Sequence, residues 1–115
     1  MKNVVCKQKK GWSKIRNEFL KQANLIKDEI INYRRTIHKN PEVGAELPKT
    51  KAYVMEQLKK MGYEPKEICE SGIVATLEGN KSGKTFLLRA DMDALPMPEE
   101  SGEPFACPTG KEAHT

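Results

Sequence analysis

The run Thr85-Phe86-Leu87-Leu88-Arg89-Ala90-Asp91-Met92-Asp93-Ala94-Leu95-Pro96 decides how this chain is read. Its first six residues have a continuous apolar centre, the pattern of a strand buried on both faces. The acidic pair, Pro96 and Pro98 then end that strand. Upstream, Gly72-Ile73-Val74-Ala75-Thr76-Leu77 reads as another strand, and Tyr63 to Cys69 as a third, with Pro65 suggesting an edge. Gly79, Asn80, Ser82 and Gly83 mark a turn, so the strands 72–77 and 85–90 are expected to pair as a hairpin.

Toward the N-terminus the period becomes helical. Tyr53, Val54, Leu58 and Met61 form the apolar face of a helix over 50–61, with Gly62 as its C′ residue. Earlier still, Ile15, Phe19, Ala23, Ile26, Ile30, Tyr33 and Ile37 recur at steps of four or three. They predict one continuous helix of about six turns, with Ser13 as its N-cap. Arg34, Arg35, His38 and Lys39 place cationic groups in its last turns, and Asn40-Pro41 ends it. Residues 1–12 read as a basic, disordered extension, and 13–115 as one partial domain. The fold class is α/β: two helices and about three strands, followed by a loop over 99–115. A strand as apolar as Thr85 to Ala90 wants cover on both faces, which two helices do not supply. A further helix or strand beyond Thr115 is therefore expected.

With 115 residues the chain is at most one domain. Its net charge is +4, its pI about 9.0 and its mean hydropathy -0.68. Lys and Arg are spread along the chain with a local excess over 2–14. That pattern fits a solvated surface better than a nucleic-acid interface, which wants one basic face with interleaved aromatics. The three cysteines, Cys6, Cys69 and Cys107, are odd in number and contain no C-x-x-C pair, which argues against a disulfide framework and against a zinc site. No secretory leader or spanning segment is legible, so the cytoplasm is the expected location and no membrane partner is expected.

Asp91 and Asp93 are the main chemical feature. They follow a strand that should be buried, where α/β sheets place binding crevices. Alternate residues of an extended segment point the same way, so both carboxylates could serve one metal site or orient a metal-bound His. The competing reading is that both cap a turn. His38 reads as a helix C-terminal residue that favours the dipole. His114 stands one residue from the end.

Three stretches carry a resemblance. They are Arg34-Arg35-x-x-His38-x-x-Pro41-Glu42-x-Gly44 with Glu46 and Lys49-Thr50; Gly72 to Gly79; and Leu88 to Met97 with Glu99-Glu100 and Pro104-Phe105. In order and spacing they resemble the N-terminal part of the N-acyl-amino-acid amidohydrolases, which include hippurate hydrolase and the plant auxin-conjugate hydrolases. The resemblance covers about residues 25 to 115. It implies the start of a metallopeptidase-type catalytic α/β domain, in an enzyme that cleaves the amide of an N-acyl amino acid. It also implies two divalent metals (manganese, zinc or similar), a metal-bridging water, a glutamate base and, often, a homodimer. By position, Asp93 resembles the acidic residue supporting the metal site. Asp91 stands where the wider superfamily has a metal-binding His. His114 resembles the first residue of a His-x-Cys-Gly-His-Asp motif, and Cys107 does not match that motif's ligand Cys. The implied reading is an N-terminal fragment, inactive by itself and with no metal ligand of its own. A non-catalytic interaction module reusing the start of the fold is the alternative, ahead of a nucleic-acid binder.

Overall fold

The structure, a computed structural model, describes residues 9–113. It divides into two compact units, one ending at Arg34 and the other beginning at Arg35. The first unit holds α1 (Lys9–Leu25) and most of α2 (Lys27–His38). The second begins in the last turn of α2 and holds α3 (Pro48–Lys60), β1 (Lys66–Ile68) and β2 (Gly72–Val74).

The stripe read as one long helix is divided by a turn at Ile26. Asp28 and Glu29 fall in the first turn of α2, where carboxylates favour a new helix start. Side-chain hydrogen bonds one turn apart, from Gln22 to Glu18 and from Tyr33 to Glu29, support the two helices. Helix α1 begins at Lys9, so Ser13 is an interior residue and not an N-cap, and residues 9–12 are helical. Cys6 and the rest of the basic segment before Lys9 lie outside the described residues.

Helix α3 matches its sequence pattern within two residues. Its C-cap is Met61, followed by Gly62 in the left-handed region (φ 87). The amide of Gly62 donates to the Lys59 carbonyl and that of Tyr63 to the Leu58 carbonyl, each at 3.0 Å. These are the two bonds of a Schellman ending, which needs a residue free to adopt positive φ. Chain reversal at Gly62 leads through the buried Pro65 directly into β1.

The sheet is a two-stranded antiparallel hairpin with Lys66 opposite Val74 and Ile68 opposite Gly72. Gly72 is required by space: a Cβ there would lie 2.6 Å from the Ile68 carbonyl oxygen. Lys51 on α3 ties the helix to this hairpin. Its Nζ lies 2.5 Å from the Glu67 carboxylate and donates to the Glu70 carbonyl at 2.8 Å.

The expected hairpin between 72–77 and 85–90 is not formed; β2 pairs backward with β1 instead. The reason is local. Residues 69–71 make a tight turn that brings β1 and β2 together, whereas 75–84 must first leave the sheet. The run Thr85 to Ala90 is consequently not a buried strand. Leu87 is 87% and Leu88 95% exposed. Asp91 and Asp93 therefore follow an open segment, not the end of a covered strand, and both are exposed. The architecture remains mixed helix and strand, with three helices and one two-stranded sheet among the described residues.

The core of the second unit is small. Leu47, Thr50, Ala94, Cys107, Ala113 and His38 are its buried members, with Pro65 beside the hairpin.

Candidate functional site

The acidic segment is held from both sides. Before it, Arg89 pairs with Asp91: the two side chains form an ion pair, and Nη1 donates to Oδ2 at 3.2 Å. After it, the Ala94 amide donates to the Glu42 carbonyl at 2.8 Å, making a parallel bridge between Val43 and Ala94. Leu95 and Ala113 then exchange hydrogen bonds at 2.9 and 3.2 Å as an antiparallel bridge. Ala94 is 1% exposed, so this junction is the most buried point of the chain's described part. Because the bridge is antiparallel, the chain arriving at Ala113 runs back toward the acidic segment.

Glu42 serves this junction twice. Its carbonyl takes the Ala94 amide, and its carboxylate accepts the amides of Lys49 (3.1 Å) and Thr50 (2.7 Å). Those amides are orphan donors at the start of α3, where the N-cap residue Leu47 offers no side-chain acceptor. The carboxylate thus caps α3 from the preceding loop. Burial alone would raise its pKa; the hydrogen bonds from Thr50 and Lys49 outweigh that and hold it below the ordinary value.

The last turn of α2 grips the loop that joins Leu95 to Ala113. His38 Nε2 lies 2.6 Å from Glu99 Oε2, with both side chains buried. The edge of the His38 ring meets Phe105 at 5.7 Å between centroids, and the Arg35 guanidinium sits 4.5 Å above the same ring. Hydrogen bonding from Ser101, opposed by burial and helped by His38, keeps the Glu99 carboxyl below its ordinary pKa. The loop's own amide of Glu99 donates to the Gly110 carbonyl at 3.2 Å.

Cys107, also buried, lies 3.1 Å from the Thr109 hydroxyl, and that hydrogen bond leads the effects lowering its thiol pKa. Cys69 and Cys107 are free thiols. Among the described residues, no group of three or more His, Cys, Asp or Glu side chains could hold a metal ion. Asp91 pairs with Arg89, and His114 lies outside the described residues.

Asp91 and Asp93, expected at the end of a buried strand, lie instead on an exposed segment beside a buried junction. His38 does end a helix, as its position predicts, but it is also a buried anchor for Glu99. Glu42, Glu99 and Phe105 carry the framework; all three stand in the stretches that carry the family resemblance, but their contacts were not legible there. No spacing rule links His38 to a residue 61 positions away.

The chain is 46% identical over 82 residues to thermostable carboxypeptidase 2 of Saccharolobus solfataricus, a match covering 70% of this chain and 21% of that protein. It is 41% identical over 81 residues to the N-acetyldiaminopimelate deacetylase of Listeria monocytogenes (69% and 22%). To the N-acyl-L-amino acid amidohydrolase of Geobacillus stearothermophilus it is 34% identical over 92 residues (79% and 25%). The chain thus spans between about a fifth and a quarter of the length of these relatives. No protein-family model matches it, and no solved structure matches it.

Proposed function

Because the chain belongs to the family of N-acyl-amino-acid amidohydrolases, we propose that it supplies part of the active-site framework of a metal-dependent amidohydrolase acting on N-acyl amino acids or related amides. The observation that carries this reading is the likeness to an amidohydrolase, a deacetylase and a carboxypeptidase over 69–79% of the chain. In this reading Asp93, with Asp91, supports a centre of two divalent ions of the manganese or zinc kind. Such ions would polarise the amide carbonyl and lower the pKa of attacking water. Their ligands would come from outside the described residues, since those residues do not assemble a set.

What the chain's own residues do is hold and orient. Glu42 and Ala94 fix the start of the loop after Asp93, and the Leu95–Ala113 bridge brings the chain back beside it. A tightly tied junction next to an exposed acidic pair keeps two carboxylates near one place and open to solvent. That suits groups that must adapt to an ion or to a partner ligand.

A chimera tests the reading. The matching segment of the Geobacillus stearothermophilus amidohydrolase is replaced by residues 25–115 of this chain and assayed on N-acyl amino acids with added manganese. Hydrolysis within about tenfold of the parent is expected, and Asp93→Asn in the chimera should remove most of it. A folded chimera without hydrolysis overturns the reading. The 115-residue chain assayed alone should hydrolyse nothing.

A further inference from the structure

Glu99 and His38 lie 61 positions apart in the chain, yet they meet at 2.6 Å with both side chains almost fully buried. Their contact joins the last turn of α2 to the middle of a loop whose ends, Leu95 and Ala113, are hydrogen-bonded to one another. The loop's entry is fixed by Ala94 on Glu42, and its body is gripped a second time by Arg35 over Phe105. Of these ties, only the His38–Glu99 contact pulls the loop body inward through a buried polar pair.

We propose that His38 and Glu99 are positioning residues: their contact sets the closed form of the 94–113 loop and, through the Leu95–Ala113 bridge, the place of Ala113 relative to Asp93. The catalytic meaning of that placement rests on the amidohydrolase reading; the coupling itself does not. A buried charge-assisted hydrogen bond is among the stronger single contacts available to such a loop. Its loss is felt most where the loop closes, because loop segments open locally, ahead of the helices that anchor them.

Residue-resolved amide hydrogen exchange on the full 115-residue chain tests this. Glu99→Ala should speed exchange at the Leu95 and Ala113 amides about tenfold or more, while Val54 and Leu58 within α3 stay within about twofold. Glu99→Gln keeps an acceptor oxygen facing His38 and should restore most of the protection. In the wild-type chain, the ring-nitrogen resonances of His38 should report a hydrogen-bonded Nε2, and that signature should be lost in Glu99→Ala. If Glu99→Ala does not fold, Glu99→Asp takes its place, since it withdraws the carboxylate while keeping its charge. Unchanged exchange at Leu95 and Ala113 overturns the proposal. So does an equal acceleration at Val54 and Leu58, which would make Glu99 a general support of the fold. No metal or substrate enters this measurement, so its failure leaves the amidohydrolase reading standing. A failed chimera, conversely, leaves the coupling intact.

Discussion

Replacing Glu42 isolates the cap on α3. The Glu42 side chain is the acceptor for two amides at that helix start, those of Lys49 and Thr50, and Thr50 is only 3% exposed. Glu42→Ala leaves the main-chain bond to Ala94 in place and strips both amides of their partner. Losing a helix cap costs about 0.5–2 kcal/mol. Hydrogen bonds to a charged acceptor lie at the upper end of the single-bond range, and the shorter one, to Thr50, is partly buried. A destabilisation of about 2 kcal/mol at pH 7 is therefore expected for Glu42→Ala, and about 1 kcal/mol for Glu42→Gln, which retains one acceptor oxygen. The assay is urea denaturation followed by far-ultraviolet circular dichroism, with the slope checked for constancy. The pH dependence gives a second handle. The folded pKa of Glu42 is lowered, so its contribution is fully present above the unfolded value. It is lost as the pH falls through the lower folded value. The stability gap between wild type and Glu42→Gln should accordingly shrink as the pH drops from 6 toward 3. A gap that stays constant across that range, or a Glu42→Ala variant within about 0.3 kcal/mol of wild type at pH 7, refutes the assignment of Glu42 as the cap.

Three further substitutions address the packing. Lys51→Met removes the ion pair to Glu67 and the bond to the Glu70 carbonyl; because Glu67 is half exposed, the cost should be only about 1 kcal/mol, read from urea melts and accompanied by faster amide exchange in the hairpin. Leu47→Ala, at a site 3% exposed, should cost about 2–3 kcal/mol, whereas Leu88→Lys, at 95% exposure, should stay within about 0.5 kcal/mol; the same melts distinguish them, and equal costs would contradict the burial pattern.

Local signals in the sequence proved reliable where a single element could satisfy itself. Helix α3 has its apolar spacing, its cationic last turn and Gly62 to end it, and all three act within one stretch. The strand expected over 63–69 is shortened to Lys66–Ile68 and begins right after Pro65, whose missing amide cannot join the ladder. The failures were non-local. An apolar run such as Thr85 to Ala90 states a need for cover but not which partner supplies it, so its pairing with 72–77 was expected and does not occur. The division at Ile26 was hidden because the apolar stripe keeps its period across the break, while the acidic start of α2 is a weaker signal. The framework around Asp91 and Asp93 depends on contacts between residues 42 and 94, 95 and 113, and 38 and 99. Nothing in a one-dimensional pattern distinguishes a glutamate that caps a helix from one that faces solvent.

The open run at Phe86, Leu87 and Leu88 also governs how the chain behaves at high concentration. Without a hydrogen-bonded neighbour among the described residues, it presents bare backbone donors and acceptors together with large apolar side chains. Such a stretch is a template on which identical chains can add, and charged flanking residues are the usual brake on that growth. Here the flanks are Lys84 and Arg89, but Arg89 has its charge offset by Asp91. Lys84 is thus the adjoining charge with no ion-pair partner among the described residues, and Lys84→Gln should raise self-association at high concentration.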